Sequence, residues 1–243
     1  MPGHTDDVSL VTRSAEVQQQ LREHIVSQPA DKFAGKPWQL VQEIEQFANE
    51  KRLPMIFRSA KISTSKTFLE TVEPKPKTVV EFGTFVGTSA VAWAAILQEF
   101  HGADAKDIKV YTFEFDEKVA AVAKDIIKAA GLDHIVEVFV GPGSESLKKL
   151  VAEGRLQPGQ VDVVFIDHWE KFYLPDLKLV EELKLFHVGS VALADNTDMP
   201  GAPDYLAHVQ KGGEGPVKYE SRSLKSQSSH GPSIVEASRI TAV

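Results

Sequence analysis

Three polar residues stand where two short apolar runs end: Asp167 closes "VDVVFID", and Asp195 with Asn196 closes "GSVALADN". Two carboxylates and an amide oxygen are hard donors. Brought together at neighbouring strand ends they suit Mg²⁺ or a similar cation, with water completing the octahedron. The same residues could instead cap the helices that follow, and an Asp-Asn pair is no distinctive ligand motif by itself. A second constellation, "VVEFGTFVGTSA" over residues 79–90, puts Gly83 and Gly87 in a turn between a buried strand and a helix. Such a turn lets the backbone approach a ligand closely and leaves free N–H groups at the helix start. The spacing is not the G-x-G-x-x-G of dinucleotide binders, and Glu81 ahead of it suits a ligand with a cationic end better than a pyrophosphate. Tight packing alone would also account for two glycines there. The third candidate is Glu114 in "YTFEFD". A carboxylate at that strand end can accept both hydroxyls of a ribose, in a dinucleotide or an adenosyl ligand; it can also simply face solvent.

These residues need a scaffold that brings strand ends together, and the texture of the chain supplies one. From Thr78 onward, β-branched or apolar runs ("TVVEFGT", "KVYTFEFD", "VEVFVG", "VDVVFID", "GSVALADN") alternate with helical patterns ("SAVAWAAILQEF", "EKVAAVAKDIIKAAG", "SESLKKLVAEG", "PDLKLVEELKLF"). Runs apolar on both faces, alternating with helices, predict a parallel sheet covered on both sides. Polar residues end four of the runs, at Glu81, Asp116, Asp167 and Asp195. Ligands in open α/β sheets bind beyond the carboxyl ends of strands. Two late strand candidates, "VKYESRSL" and "SIVEASRITAV", are separated by the polar "KSQSSHGP" and predict an antiparallel hairpin.

Upstream, the first dozen residues read as a loose tail. Helices are expected over "AEVQQQLREHIV" and "PWQLVQEIEQFANEKR", where Leu40, Val41, Ile44 and Phe47 form one stripe, and from about Ser63 to Val72. The organisation expected is one domain over 1–243, with tail and cover helices in 1–60 and a Rossmann-like core in 61–243.

Composition narrows the function classes. At 243 residues, 42% hydrophobic and 25% charged, the chain matches ordinary globular usage rather than disordered or fibrous classes. With 27 basic against 34 acidic side chains the net charge is −7, which opposes general nucleic-acid binding. Cysteine is absent, so no disulfide or thiolate metal site is expected. No apolar run approaches the ~18 residues of a membrane span. The start "MPGHTDDVSL" is polar and acidic, unlike a signal peptide. The expectation is a cytoplasmic protein without membrane or nucleic-acid partners.

The segments "DHW", "YLPD", "ALADN" and "PGAPDYLAHV", with the glycine turn "EFGTFVGTSAV" and "GPGSESL", resemble catechol O-methyltransferases. The likeness runs from the N-terminal helices to at least residue 210 and more loosely to the end. It implies a class I methyltransferase fold: a mostly parallel seven-stranded sheet with helices on both faces and a C-terminal antiparallel hairpin. It also implies S-adenosylmethionine as cofactor, Mg²⁺ as metal and a phenolic or catecholic small molecule as acceptor. By the same resemblance Glu81, Gly83, Phe85 and Ser89 surround the methionine end of the cofactor, and Met55 and Phe57 close over it. Glu114, with Phe115 beside it, holds the ribose. Gly143, Ser144, His168 and Trp169 surround the adenine, and Asp167 belongs to both the cofactor and the metal shells. Asp167, Asp195 and Asn196 are the implied metal ligands. Leu53, Trp169, Asn196 and Pro200 fall at implied substrate positions.

Three departures touch the acceptor side. The family's catalytic lysine directly follows "DHW"; here that position is Glu170, and the lysine comes next, as Lys171. A tryptophan gatekeeper corresponds to Leu53. The glutamate that holds the substrate's second hydroxyl has no clear counterpart in "SRSLKSQSSHGP". The candidate catalytic residues are therefore Glu170 and Lys171. Two rivals stand beside a catechol methyltransferase: an enzyme with a different acceptor, and a cofactor-binding protein that has lost catalysis. A nicotinamide dehydrogenase fails on the glycine spacing and on the late hairpin.

Overall fold

The structure, a computed structural model, describes residues 5–228 and 231–243, with side chains from Ser14 onward. Seven strands form one sheet: β1 (Thr78–Phe82), β2 (Lys109–Glu114), β3 (Val136–Val140), β4 (Val161–Ile166), β5 (Phe186–Asp195), β6 (Lys218–Ser228) and β7 (Gly231–Ala242). Their order is β3-β2-β1-β4-β5-β7-β6. The first five pair in parallel, and β7 runs antiparallel to both β5 and β6. This is the sheet expected from the sequence. The chain winds outward from β1 to β3, then returns to place β4 on the other side of β1. A crevice opens at such a reversal of winding, beyond the carboxyl ends of the strands.

Strand residues alternate between two cores. Val79, Val110, Val163, Phe165 and Leu193 face α1 (Thr5–Val26), α2 (Pro37–Lys51), α3 (Ser59–Leu69), α4 (Thr88–His101) and α5 (Glu117–Ala129). Val80, Tyr111, Val164, Ile166 and Ala192 face α6 (Gly143–Ala152), α7 (Tyr173–Glu182) and α8 (Pro203–Gln210). Successive side chains of a strand point to opposite faces, which is why both faces of each run had to be apolar. Helix α4 is apolar all round because it is covered twice, by the sheet and by α2: Val91 through Leu97 are all buried.

Three boundaries differ from the sequence expectation. Helix α1 begins at Thr5, so most of the expected tail is helical; neither Gly nor Pro interrupts the chain from Thr5 to Gln28. Residues 1–4 lie outside the described residues. Helix α3 starts four residues earlier than expected, because Glu45 of α2 accepts the Ser59 N–H at 3.1 Å and so caps it from another element. Strand β6 continues through "KSQS", where Ser226 and Ser233 join across the ladder at 2.8 Å. The hairpin is thus longer than its polar composition suggests. Its tip, Ser229 and His230, falls outside the described residues.

Candidate functional site

A cavity of about 1040 Å³ opens beyond the carboxyl ends of β1, β2, β4 and β5. Its floor is backbone brought unusually close. Gly83, at φ +103°, lies so near the residue that follows β4 that a Cβ there would sit 2.1 Å from the Asp167 carbonyl oxygen. Gly143 packs against the Phe82 ring, where a Cβ would meet Cδ1 at 2.7 Å. Both glycines are therefore required by packing and, at the same time, open the floor of the cavity. Among the described residues five non-glycine positions have positive φ, and three of them, Met55, Phe85 and Asn196, line this cavity. Such strained positions collect where a site is shaped by its surroundings.

On the β1–β2 side the polar groups are held firmly. Glu114 accepts the Phe85 N–H at 2.8 Å and the Asp116 N–H at 3.0 Å. Its carboxylate is fixed at the wall, and burial raises its pKa. It is not a solvent-facing strand end. Asp116, by contrast, is a helix cap, accepting from Lys118 and Val119 at the start of α5. Glu81 is fully buried beneath the glycine turn and does not line the cavity. Burial pushes its pKa up to about 7 against the hydrogen bonds of Thr112, Ser89 and Trp93. Met55, Phe57, Gly83, Phe85, Ser89, Phe115, Gly143, Ser144, His168 and Trp169 all line the cavity. Met55, Phe115 and Trp169 are 70%, 71% and 65% exposed and form an apolar rim to the cavity. His168 is oriented by Asp176 at 2.7 Å and stacks on Tyr173 with ring centroids 5.4 Å apart. Its Nδ1 is buried without a protein partner.

On the β4–β5 side, Asp167, Asp195 and Asn196 also line the cavity, on neighbouring strand ends. None of them caps a helix: the turn and helix that follow Asp167, and the turn that follows Asn196, have no side-chain cap. Burial, and then the neighbouring Asp195 carboxylate, raise the Asp167 pKa well above its ordinary range. Burial also raises that of Asp195, against the Lys61 ammonium. The Asp195 main chain is tied down by the Tyr173 hydroxyl, which donates to its carbonyl at 3.1 Å. Among the described residues no three acidic or histidine side chains converge as a ready cation shell. The set is two carboxylates and one amide, and the donor chemistry fits a hard divalent cation whose remaining positions are filled by water.

The remaining sequence candidates separate. Glu170 lines the cavity and raises the Asp167 pKa, while Lys171 does not line it. The Lys171 ammonium lies 5.2 Å and 4.9 Å from the ring centres of Trp169 and Phe172. Pro200 is in the lining, whereas Leu53 is buried in the core at 1% exposure and does not reach the cavity. Lys61, Phe172 and the end of the β6–β7 hairpin (Ser228, Gly231, Pro232, Ser233) line it without having been singled out from the sequence. Lys61 gives no local signal: it stands beside the buried stripe of α3 and meets Asp195, 134 positions away.

A parallel sheet with an antiparallel last strand, a glycine turn after β1 and a carboxylate ending β2 define a Rossmann-like fold of the class I methyltransferase type. Residues 37–203 match the model of the O-methyltransferase family. The chain is 33% identical over 79% of its length to the catechol O-methyltransferase of Bos taurus and 38% identical over 57% to that of Sus scrofa. These alignments span 66% and 69% of the two relatives. They cover 70% of the 33% identical catechol O-methyltransferase B of Danio rerio and 62% of the Mus musculus enzyme. Among solved structures, an O-methyltransferase of Bacillus cereus in complex with SAH superposes with a TM-score of 0.65 at 22% identity, over 83% of this chain and 90% of that one. An O-methyltransferase of tomaymycin synthesis from Streptomyces achromogenes, in complex with SAM, gives 0.66 at 21%, over 84% and 90%. The chain belongs to the O-methyltransferase family, among its catechol O-methyltransferase members. No helix among the described residues is long and apolar enough to cross a membrane.

Proposed function

We propose that the protein transfers the methyl group of S-adenosylmethionine to a hydroxyl of a small phenolic acceptor, with vicinal diols of the catechol type as the leading class and a divalent cation bound at the acceptor side. One observation carries the reading. The glycine floor with Glu114, and the Asp167–Asp195–Asn196 set, open into the same cavity at the point where the strand order reverses.

Each half has a physical role in this reading. Glu114 is already oriented by two backbone N–H groups, so it accepts the ribose hydroxyls without a search through rotamers. The floor at Gly83 lets the sulfonium end lie against main chain, with the buried Glu81 beneath it. Met55, Phe115 and Trp169 lose their exposure against the cofactor. The S-adenosylhomocysteine and S-adenosylmethionine complexes of the two solved relatives support this use of the cavity. Asp167, Asp195 and Asn196 would hold the cation, which when bound acts as a Lewis acid toward an acceptor hydroxyl. The chain's own part is positioning: an oxygen held in line with the sulfonium methyl makes the displacement effectively unimolecular.

A second reading keeps the cofactor and changes the acceptor. It rests on Glu170, a carboxylate in the cavity wall at the position where the resemblance drawn from the sequence implies a lysine. Initial rates with labelled S-adenosylmethionine over a panel of catechols and monophenols, with and without a chelator, test both readings. Catechol methylation that falls at least 100-fold in excess chelator is the expected outcome. Full activity in chelator would reject the cation, and activity confined to monophenols would favour the second reading.

A further inference from the structure

The acidic side of the cavity already contains a cation supplied by the fold. Lys61, in the first turn of α3, donates to both carboxylate oxygens of Asp195 at 2.6 and 2.7 Å. The pair is enclosed: the two side chains are 13% and 4% exposed. Asp195 comes from the sheet and Lys61 from a cover helix. Helix α3 is anchored in turn by the Ser59–Glu45 contact. Among the described residues Asp167 has no such partner, and the field of Lys61 acts on it as well as on Asp195.

We infer that Lys61 is a built-in counter-cation which competes with the divalent cation for Asp195 and sets how tightly that cation binds. This rests on the cation reading proposed above. An ammonium that holds both oxygens of a carboxylate leaves it no lone pair in the direction it faces. A dication can enter only by displacing Lys61 or by sharing Asp195 with it, and both are opposed by repulsion between like charges in a poorly solvated space. The arrangement keeps Asp195 neutralised when no divalent cation is present. It also makes cation binding weaker than two carboxylates and an amide would otherwise allow.

The test is a direct measurement of cation binding, without acceptor or turnover. Mn²⁺ is titrated into the full chain at pH 8 and followed by electron paramagnetic resonance, for the unmodified protein, Lys61→Met and Lys61→Arg. Calorimetry with S-adenosylhomocysteine checks that each variant is folded and keeps its cofactor site. Lys61→Met removes the charge at similar length and should bind Mn²⁺ at least tenfold more tightly, while Lys61→Arg should stay near the unmodified value. Mn²⁺ affinity unchanged or weakened in a Lys61→Met protein that still binds S-adenosylhomocysteine overturns the role given to Lys61 and leaves the cation reading standing. No Mn²⁺ binding by any of the three overturns both.

Discussion

The two halves of the cavity are built differently. The half over β1 and β2 is shaped by main chain: a glycine against a carbonyl, a glycine against an aromatic ring, and a carboxylate pinned by two backbone N–H groups. The half over β4 and β5 is shaped by side chains that oppose one another, with two raised carboxylates, an ammonium held on one of them, and Glu170 in the wall. Main-chain geometry cannot be retuned one residue at a time, whereas a charged side chain can be exchanged without disturbing the fold. The proposed function, one cofactor and a choice of acceptors, is consistent with this division. Of the three sequence departures, Glu170 and the end of the β6–β7 hairpin stand in the cavity wall, whereas Leu53 is buried in the core.

The largest expected effect breaks the comparison at its firmest point. Gly83→Ala asks an L-residue to hold φ +103° with its Cβ inside a carbonyl oxygen. The cost is about 3 kcal/mol or more from backbone strain and overpacking together. Cofactor binding should fall beyond detection by calorimetry, with a lowered melting temperature. If Gly83→Ala binds S-adenosylmethionine normally, close backbone approach is not what builds this half.

Next comes Glu81, buried under the same turn. Its folded pKa of about 7 exceeds the 4.5 of an unburied glutamate, so the folded state holds the proton more strongly than the unfolded chain does. The stability this confers is fully present below pH 4.5 and is lost as pH rises to about 7, a change of about 3 kcal/mol. Glu81→Gln removes that term. Between pH 4.5 and 8 the melting temperature of ligand-free Glu81→Gln should climb relative to the unmodified protein; a constant difference would refute the assignment. A smaller effect follows at the wall. Glu114→Ala should weaken S-adenosylmethionine at least tenfold, about 1.4 kcal/mol, and unchanged affinity in a folded variant would remove Glu114 from the ribose site.

How much of this the sequence discloses depends on range. Alternating apolar runs and helices disclose the parallel sheet, because burial on both faces leaves a compositional mark on every strand. The strand-end residues Glu114, Asp167 and Asp195 are legible for the same reason: the topology decides where strand ends go. What is not legible is reach. Nothing near Lys61 announces that its ammonium ends on Asp195. Nothing near Glu45 announces that it caps α3. The left-handed backbone of Met55 and Phe85 is equally silent, since neither residue type favours it. Leu53 teaches the converse. A position matched by resemblance to a gatekeeper is here a fully buried aliphatic residue, and its neighbour Met55 stands at the rim instead.

The smallest expected effect, and the one that most sharpens the contrast between the halves, is at Glu170. The turn Glu170–Phe172 is a 3₁₀ turn, in which consecutive side chains point about 120° apart. That is why Glu170 reaches the cavity while Lys171 turns outward onto the Trp169 and Phe172 rings, and why a lysine displaced by one residue does not substitute for one at position 170. A carboxylate that raises the Asp167 pKa adds negative charge where, in the proposed reaction, a phenolate would form, and so opposes loss of the acceptor proton. A lysine there would favour the phenolate electrostatically and, when neutral, could take its proton. Glu170→Lys should therefore raise the initial rate on a simple catechol by roughly tenfold, below the roughly 10²–10⁴-fold of a well-placed general base because the wall is not shaped around a lysine. S-adenosylmethionine affinity should stay within a factor of two or so, because the change lies on the acceptor side. The measurement is initial rate at fixed cofactor and Mg²⁺, paired with calorimetry on the same preparations. An unmodified protein that methylates catechol rapidly and loses that activity on Glu170→Lys would reverse the assignment, making Glu170 the working base or a further cation ligand. A parallel loss of cofactor affinity would show that the two halves are not as separable as their construction implies.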